Sequence, residues 1–415
     1  MPYRHVVLAL LLAYPCLYCA PVHAASAEEN AALIRSLQQQ LGALQAELAV
    51  LRRLVAAADA YEPPAGAAAG PPPDDNAVEI SGDFRVRYEN TSEHAGLRER
   101  NRGVIRGRLG ADWDVNDNVV LGTRIGTGDP DDPNSTDISM GNFLDDLDLS
   151  LDRLYVAYER GKVFATAGKF ANPFVRTSLV WDSDVNPYGV AGRYRFYASD
   201  RASASVTGIY ALVDEQTIAG DSTMAGAQLS LRWHPDTDWA LGLHGAYYDY
   251  SIGSLDNADR GDLRGNNVTP GGARYVSDFR LLNLTGSVMH SGIGERWPLA
   301  LTLDYVRNLG ARVPEDTGWG VDLHLGRTSR PGDLQFRYGY AVAETDAVLA
   351  AFSHDNTTYS TNYRQHTLEL GYLLQEKTGL YLTTYLYRRD AAPVAGQAGD
   401  DDWVSRVRMN LHYSF

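Results

Sequence analysis

The sequence predicts an all-β transmembrane β-barrel of about 16 antiparallel strands, carried behind an N-terminal periplasmic coiled-coil helix. Three observations predict it. From Val78 onward polar and apolar residues alternate with period two, the connectors between these segments alternate between short and long, and Tyr and Trp gather near segment ends.

The first element is a leader. Behind Arg4 and His5 runs "VVLALLLAY", too short to cross a bilayer as a helix, and Pro21 and the small-residue stretch "VHAASA" follow. These are the n, h and c regions of a signal peptide over residues 1–24, with cleavage expected after Ala24. Cys16 and Cys19 both fall within it, so the exported chain is expected to carry no disulfide framework. Lipidation at Cys16 is the alternative, and Tyr14 and Pro15 are poor residues to precede a lipidated cysteine.

Residues 28–58 form the second element. Leu37, Leu41, Leu44, Leu48, Leu51 and Val55 fall at alternating spacings of three and four, which keeps one apolar seam on a helix. Two arrangements are open, a self-associating coiled coil and a single helix packed on a domain. The Pro/Ala/Gly-rich linker of residues 59–77 favours the first, because it leaves the helix tethered alone and a lone helix of this length is marginal in water. Leucine at both seam positions does not fix how many chains meet.

Residues 78–415 form the barrel. In "VEISGDFRVRYE", Ile80, Phe84, Val86 and Tyr88 share one face against Asp83, Arg85, Arg87 and Glu89. The same alternation recurs over segments 80–90, 104–114, 118–127, 147–159, 161–171, 188–198, 201–213, 224–234, 238–250, 276–290, 296–307, 317–328, 332–344, 364–375, 378–389 and 403–415. Short connectors such as "NDN", "ERGK" and "QEKT" alternate with the long stretches 128–146, 172–187, 251–275, 345–363 and 390–402, as tight periplasmic turns alternate with outer loops. A soluble sandwich also shows alternation. Trp113, Trp233, Trp239, Tyr305, Tyr338, Tyr340 and Trp403 near segment ends suit interfacial girdles and favour the membrane barrel.

With that topology, "GKFANPF" and "LVWDSDVNPYGV" resemble a signature of the Gram-negative outer-membrane family of putative porins, as do "RGRLGADWDVNDNVVLGTRIGTGDPDDPNSTD" and "LSLDRLYVAY" upstream. The resemblance covers residues 100–200 well and the rest by pattern. Tyr188 departs from it, where relatives are expected to carry a small acidic residue. The resemblance implies a trimeric porin in the cell outer membrane, seated in the lipid bilayer with lipopolysaccharide, whose third outer loop folds inward. It also implies that the C-terminal Phe415 is read by the barrel-assembly machinery. The coiled coil is similar to periplasmic extensions of some sugar-specific and phosphate-specific trimeric porins.

The expected pore chemistry follows. Residues 172–187 supply the constriction loop, with Arg176, Trp181, Asp182 and Asp184 as its candidate residues, and Phe174, Leu179, Val180 and Trp181 packing on the wall while polar groups turn to water. Closure of the last strand on the first gathers a basic pore wall of Arg85, Arg87, Arg106, Arg108, Arg124, Arg406 and Arg408. Either Asp182 and Asp184 face this wall across the lumen and set up a transverse field, or the arginines pair with inward neighbours such as Asp83, Glu89 and Asp112. Acidic outer residues Asp129, Asp131, Asp132, Asp137, Asp400, Asp401 and Asp402 are read as solvated loops, with divalent-cation binding as the alternative.

No hydrolase or phosphate-loop motif occurs, and His244, His324 and His366 stand alone on strands, so neither enzyme activity, cofactor nor metal is expected. The net charge of −15 on an exported chain argues against nucleic acid. The expected function is passive diffusion of small hydrophilic solutes and ions. The alternatives are a substrate-selective anion channel that uses the arginines and a non-channel barrel such as an adhesin or lipid hydrolase.

Overall fold

The computed structural model describes residues 78–94, 97–130, 134–141, 146–217, 220–258, 265–292, 296–391 and 402–415. The signal peptide, coiled coil and linker expected over residues 1–77 lie outside them, as do Asp131, Asp132, Asp400 and Asp401.

In chain order the strands are β1 (Val78–Thr91), β2 (Arg100–Asn116), β3 (Val119–Thr127), β4 (Ile138–Ser139), β5 (Leu149–Arg160), β6 (Val163–Lys169), β7 (Tyr188–Ala198), β8 (Ala202–Asp214) and β9 (Ser222–Trp233). They continue with β10 (Trp239–Ser251), β11 (Phe279–His290), β12 (Leu299–Asn308), β13 (Thr317–Gly326), β14 (Leu334–Ala343), β15 (Tyr363–Gln375), β16 (Thr378–Arg389) and β17 (Val404–Ser414). Sixteen of these are long, each antiparallel to its neighbours, and the pairing of β1 with β17 from Asp83↔Ser414 to Thr91↔Arg406 seals the cylinder. Among the described residues no long strand is left with an open edge. The two-residue β4 pairs with Val104 and Ile105 of β2 and patches the wall where the short β3 has ended.

The two faces of each strand meet different surroundings. Leu243, Leu303 and Leu370 point outward and are 57%, 50% and 51% exposed, whereas inward Gln228, Asn283 and Thr285 are buried. In water that arrangement would be inverted; against acyl chains it places each face in its own solvent. Trp113, Trp233, Trp239 and Tyr413 ring the end of the short turns, and Tyr305, Trp319, Tyr340 and Trp403 ring the end of the long loops.

The apolar core lies inside the cylinder. At the loop end of β8 to β12 both faces are apolar, because inward Ile209, Met224, Tyr248, Tyr250, Leu281 and Val306 carry the side chains of infolded loops. Strict polar-inward alternation therefore fails on that wall.

Candidate pore constriction

The connector of residues 170–187 leaves and rejoins the wall at two glycines that face each other, Gly168 on β6 and Gly189 on β7. Gly168 has a φ of 115°, and a Cβ there would lie 2.3 Å from the Leu154 carbonyl oxygen. Only glycine admits this departure from the sheet. Beyond it the loop crosses the interior. The side chain of Gln228 on β9 holds Val175 at both ends, accepting from its N–H at 2.8 Å and donating to its carbonyl at 2.7 Å. Thr177 donates its hydroxyl to Asp304 on β12. On the return, Asp184 takes a 2.9 Å ion pair from Arg108 on β2, and Asn186 donates to Asp152 on β5 at 2.6 Å. A single connector that touches both β12 and β2 must traverse the lumen.

Aromatic packing fixes its depth. Trp181 is 2% exposed, stacks on Phe352 with ring centroids 5.0 Å apart, lies 6.4 Å from the Tyr248 ring and donates its indole N–H to the Val185 carbonyl. Burying each of Phe174, Leu179, Val180 and Trp181 contributes about 1.5–3 kcal/mol by area. Trp181, a candidate residue of the constriction loop expected to pack on the wall, is an anchor turned away from water. Arg176 also faces elsewhere, with one guanidinium nitrogen donating to the carbonyls of Asn172 and Phe174 at 3.3 and 3.4 Å.

A second connector, expected as a long outer loop, folds inward. Residues 344–362, between β14 and β15, insert a 3-10 turn, Ala350–Phe352, whose Phe352 carbonyl accepts from the Asp182 N–H at 2.7 Å. Asp346 is fully buried and pins this insert, accepting from the Ser277 hydroxyl at 2.6 Å and the Asn267 N–H at 2.9 Å. The signal that marks it is the apolar run "AVLAAF" inside a connector.

The seven arginines of the expected wall sit on β17, β1, β2 and β3, which are neighbours in the sheet. Arg85 and Arg106 lie directly opposite each other. Each is paired. Asp83 accepts from Arg106 at 2.8 Å and Arg108 at 2.6 Å, Glu89 accepts from Arg408 at 2.6 Å and lies 3.7 Å from Arg406, and Asp152 pairs with Arg124. Asp112 instead accepts the Tyr155 hydroxyl at 2.9 Å. The transverse-field arrangement needs correction, since Asp184 touches Arg108 rather than facing it across an aqueous gap.

Two further groups join the wall. Asp137, read as part of an acidic outer loop, reaches down to Arg85 and Arg87. Burial pushes its carboxyl up, but Arg85 and Arg87 outweigh this and hold it below the usual carboxylate range. Arg153 enters through a bulge. Arg124 pairs with Arg153 while Ile125 pairs with Leu151, so the intervening Asp152 is extra and two successive side chains, Asp152 and Arg153, turn inward. In the sequence this shows as a slipped period in "LSLDRLYVAY", with Leu149 and Leu151 followed by Leu154 and Val156. Arg153 donates to Asn186 at 2.8 Å. Asp182 is 5% exposed, and burial, then Asp355 and Asp184, push its carboxyl up to about 7 against the opposing hydrogen bond from the Asp184 N–H.

These groups enclose a cavity of about 420 Å³ lined by Arg85, Arg87, Arg106, Arg108, Arg124, Arg153 and Arg408 with Asp137, Asp182, Asp184 and Asp355. Asp137 and Arg408 also line an outer vestibule of about 930 Å³, and Arg153 also lines an inner one of about 970 Å³. On the other side of the loop lies a cavity of about 460 Å³ bounded by residues of β11 to β16.

A cylinder with an apolar exterior, a polar interior and a loop drawn across it is the geometry of a channel. The family described as putative porin matches residues 73–267. Over that stretch, just under half of the chain, the sequence is similar to that family. Porin folds are also what the structural comparisons find, at identities that speak to fold alone. Pseudomonas putida OprB, in its high-pH structure, is 13% identical with a TM-score of 0.55, covering 82% of this chain and 95% of that one. An anion-selective porin from Comamonas acidovorans is 13% identical with a TM-score of 0.48, covering 82% and 99%. Vibrio cholerae OmpT in its trimer form is 12% identical with a TM-score of 0.48, covering 82% and 99%. No curated protein matches the chain. The fold is that of an outer-membrane porin barrel.

Proposed function

We propose that this porin lets small hydrophilic solutes and ions diffuse passively across the outer membrane, and that it catalyses no reaction. The observation that carries the reading is the run of polar cavities through the interior, in which the outer vestibule shares Asp137 and Arg408 with the arginine cavity and that cavity shares Arg153 with the inner vestibule. Two infolded connectors narrow the route, with Asp182 and Asp184 at the water-facing end of the first. Stepwise conductance of the purified chain in a planar bilayer tests this, and a chain that inserts without any steps refutes it.

A second reading, a channel selective for anions, is favoured by the same cavity, where seven guanidinium groups meet four carboxylates. Reversal potential in a salt gradient separates the two. The assembly proposed around the pore is a trimer with residues 28–58 as a periplasmic coiled coil on the linker 59–77, after removal of residues 1–24. Phe415, whose backbone N–H and carbonyl bond Gly82 at 3.0 and 3.2 Å, is proposed as the signal for the assembly machinery, and lipopolysaccharide as the outer-leaflet neighbour.

A further inference from the structure

We propose that the arginine cavity is a saturable binding site for a compact oxyanion carrying two negative charges, loaded from the outer face. The inference rests on the porin reading and deepens it by naming a ligand class for its arginine-lined region.

The charge balance comes first. The cavity is lined by three more guanidinium groups than carboxylates. Behind the lining, Asp83, Glu89 and Asp152 cancel that excess, and Arg102 and Arg406 on Glu89 restore two positive charges. The cluster as a whole stays positive by about two charges with Asp182 ionised, which one dianion neutralises. A monovalent anion leaves an excess.

The donors are also placed for it. Side-chain pairings use only part of each guanidinium: Arg108 donates from Nε to Asp83 and from one terminal nitrogen to Asp184, and Arg408 from Nε to Glu89 and from one terminal nitrogen to Asn356. A guanidinium carries five N–H groups, so each keeps donors for the lumen. Nε of Arg85 is buried and has no hydrogen-bond partner among the described residues. Forked donors suit planar or tetrahedral oxyanions better than spherical halides. The carboxylates behind the wall hold the forks in place, which lowers the ordering cost of binding.

Sidedness comes from the axial order of charge. Inward residues of β2 read, from outer to inner, Arg100, Arg102, Val104, Arg106, Arg108, Gly110, Asp112 and Asp114. The outer vestibule is lined by Arg98, Arg100, Arg102, Arg406 and Arg408 against Glu99, Asp137 and Asp355. The inner vestibule carries Glu79, Asp112, Asp114, Asp117 and Glu159 against Arg153. A dianion is drawn toward the site from outside and meets like charge beyond it.

The test adds sodium sulfate or sodium succinate to one side at a time of a planar bilayer holding single channels of the full chain in potassium chloride. Both dianions are expected to reduce the current saturably, with a half-blocking concentration at least tenfold lower from the outer side, and with weaker block as ionic strength rises. The R85Q/R87Q double variant is expected to raise that concentration at least tenfold, R85K to recover part of it, and R330Q in a short turn to leave it unchanged. Equilibrium dialysis of radiolabelled sulfate and succinate with the purified chain reads the site independently of conduction. Block by sulfate alone, or by succinate alone, assigns the site to inorganic or carboxylate ligands. Equal block from both faces, chloride competing as well as either dianion, or unaltered affinity in folded R85Q/R87Q overturns the proposal. Channels that conduct without dianion block leave the porin reading standing, and dianion binding without conduction does the reverse.

Discussion

The two cavities on either side of the infolded loop are of similar size, about 420 and 460 Å³, and opposite in chemistry. The first is walled by guanidinium groups. The second presents the hydroxyls of Thr177, Ser178, Thr285, Ser287, Thr302 and Thr367, and its charges balance, Arg176 and Arg337 against Asp304 and Asp322. Arg337 and Asp322 pair at 2.7 Å. The excess of positive charge therefore lies on one wall, and the loop that separates the cavities turns its acidic stretch to that wall and residues 175–179, Arg176 among them, to the other.

The largest expected effect comes from removing the partition. Trp181→Ala strips the anchor shared with Phe352 and Tyr248 and should cost about 3–5 kcal/mol, read as earlier thermal unfolding in detergent and a larger single-channel conductance. Asp304→Ala releases Thr177 and leaves Asn283 and Thr285 without their acceptor, at about 1–3 kcal/mol. Noisier conductance with unchanged ion preference is the expected record. R85Q/R87Q should lower the anion-to-cation permeability ratio severalfold, while D322N/R337Q, which removes a balanced pair, should shift the reversal potential little.

The smallest effect is titration of Asp182. Its folded carboxyl holds its proton up to about 7, above the ordinary carboxylate range. The folded state therefore binds more protons between that range and pH 7, so the contribution of Asp182 to stability is present at low pH and is lost as pH rises through about 7. By the same protonation, anion preference should grow as pH falls from 8 to 6. In D182N the reversal potential should lose that dependence.

Every long strand was legible because a half-lipid, half-water wall imposes period two on the sequence, and the ends found by periodicity lie within a few residues of those in the structure. The two-residue β4 was not, since two residues carry no period. Residues of the basic wall were legible once β17 was placed beside β1, because alternation alone decides which side chains point inward. Their partners were harder. Asp137 reaches Arg85 and Arg87 from a loop, and nothing in its own neighbourhood announces a distant cation. The insertion of residues 344–362 depends on Ser277 and Asn267 meeting Asp346, which is tertiary information. The stacking partners of Trp181, Phe352 and Tyr248, were not legible, because a connector lacks the fixed periodicity that pairs one side chain with another.

The extra residue in β5 makes spacing as decisive as composition there. Losing one position between Leu151 and Leu154 would restore strict alternation and leave room for only one of two oppositely charged neighbours beside the water. Gaps of a single codon, tolerated readily in the surface connectors, would at this point rewrite the ionic character of the passage or expel a charge into hydrocarbon.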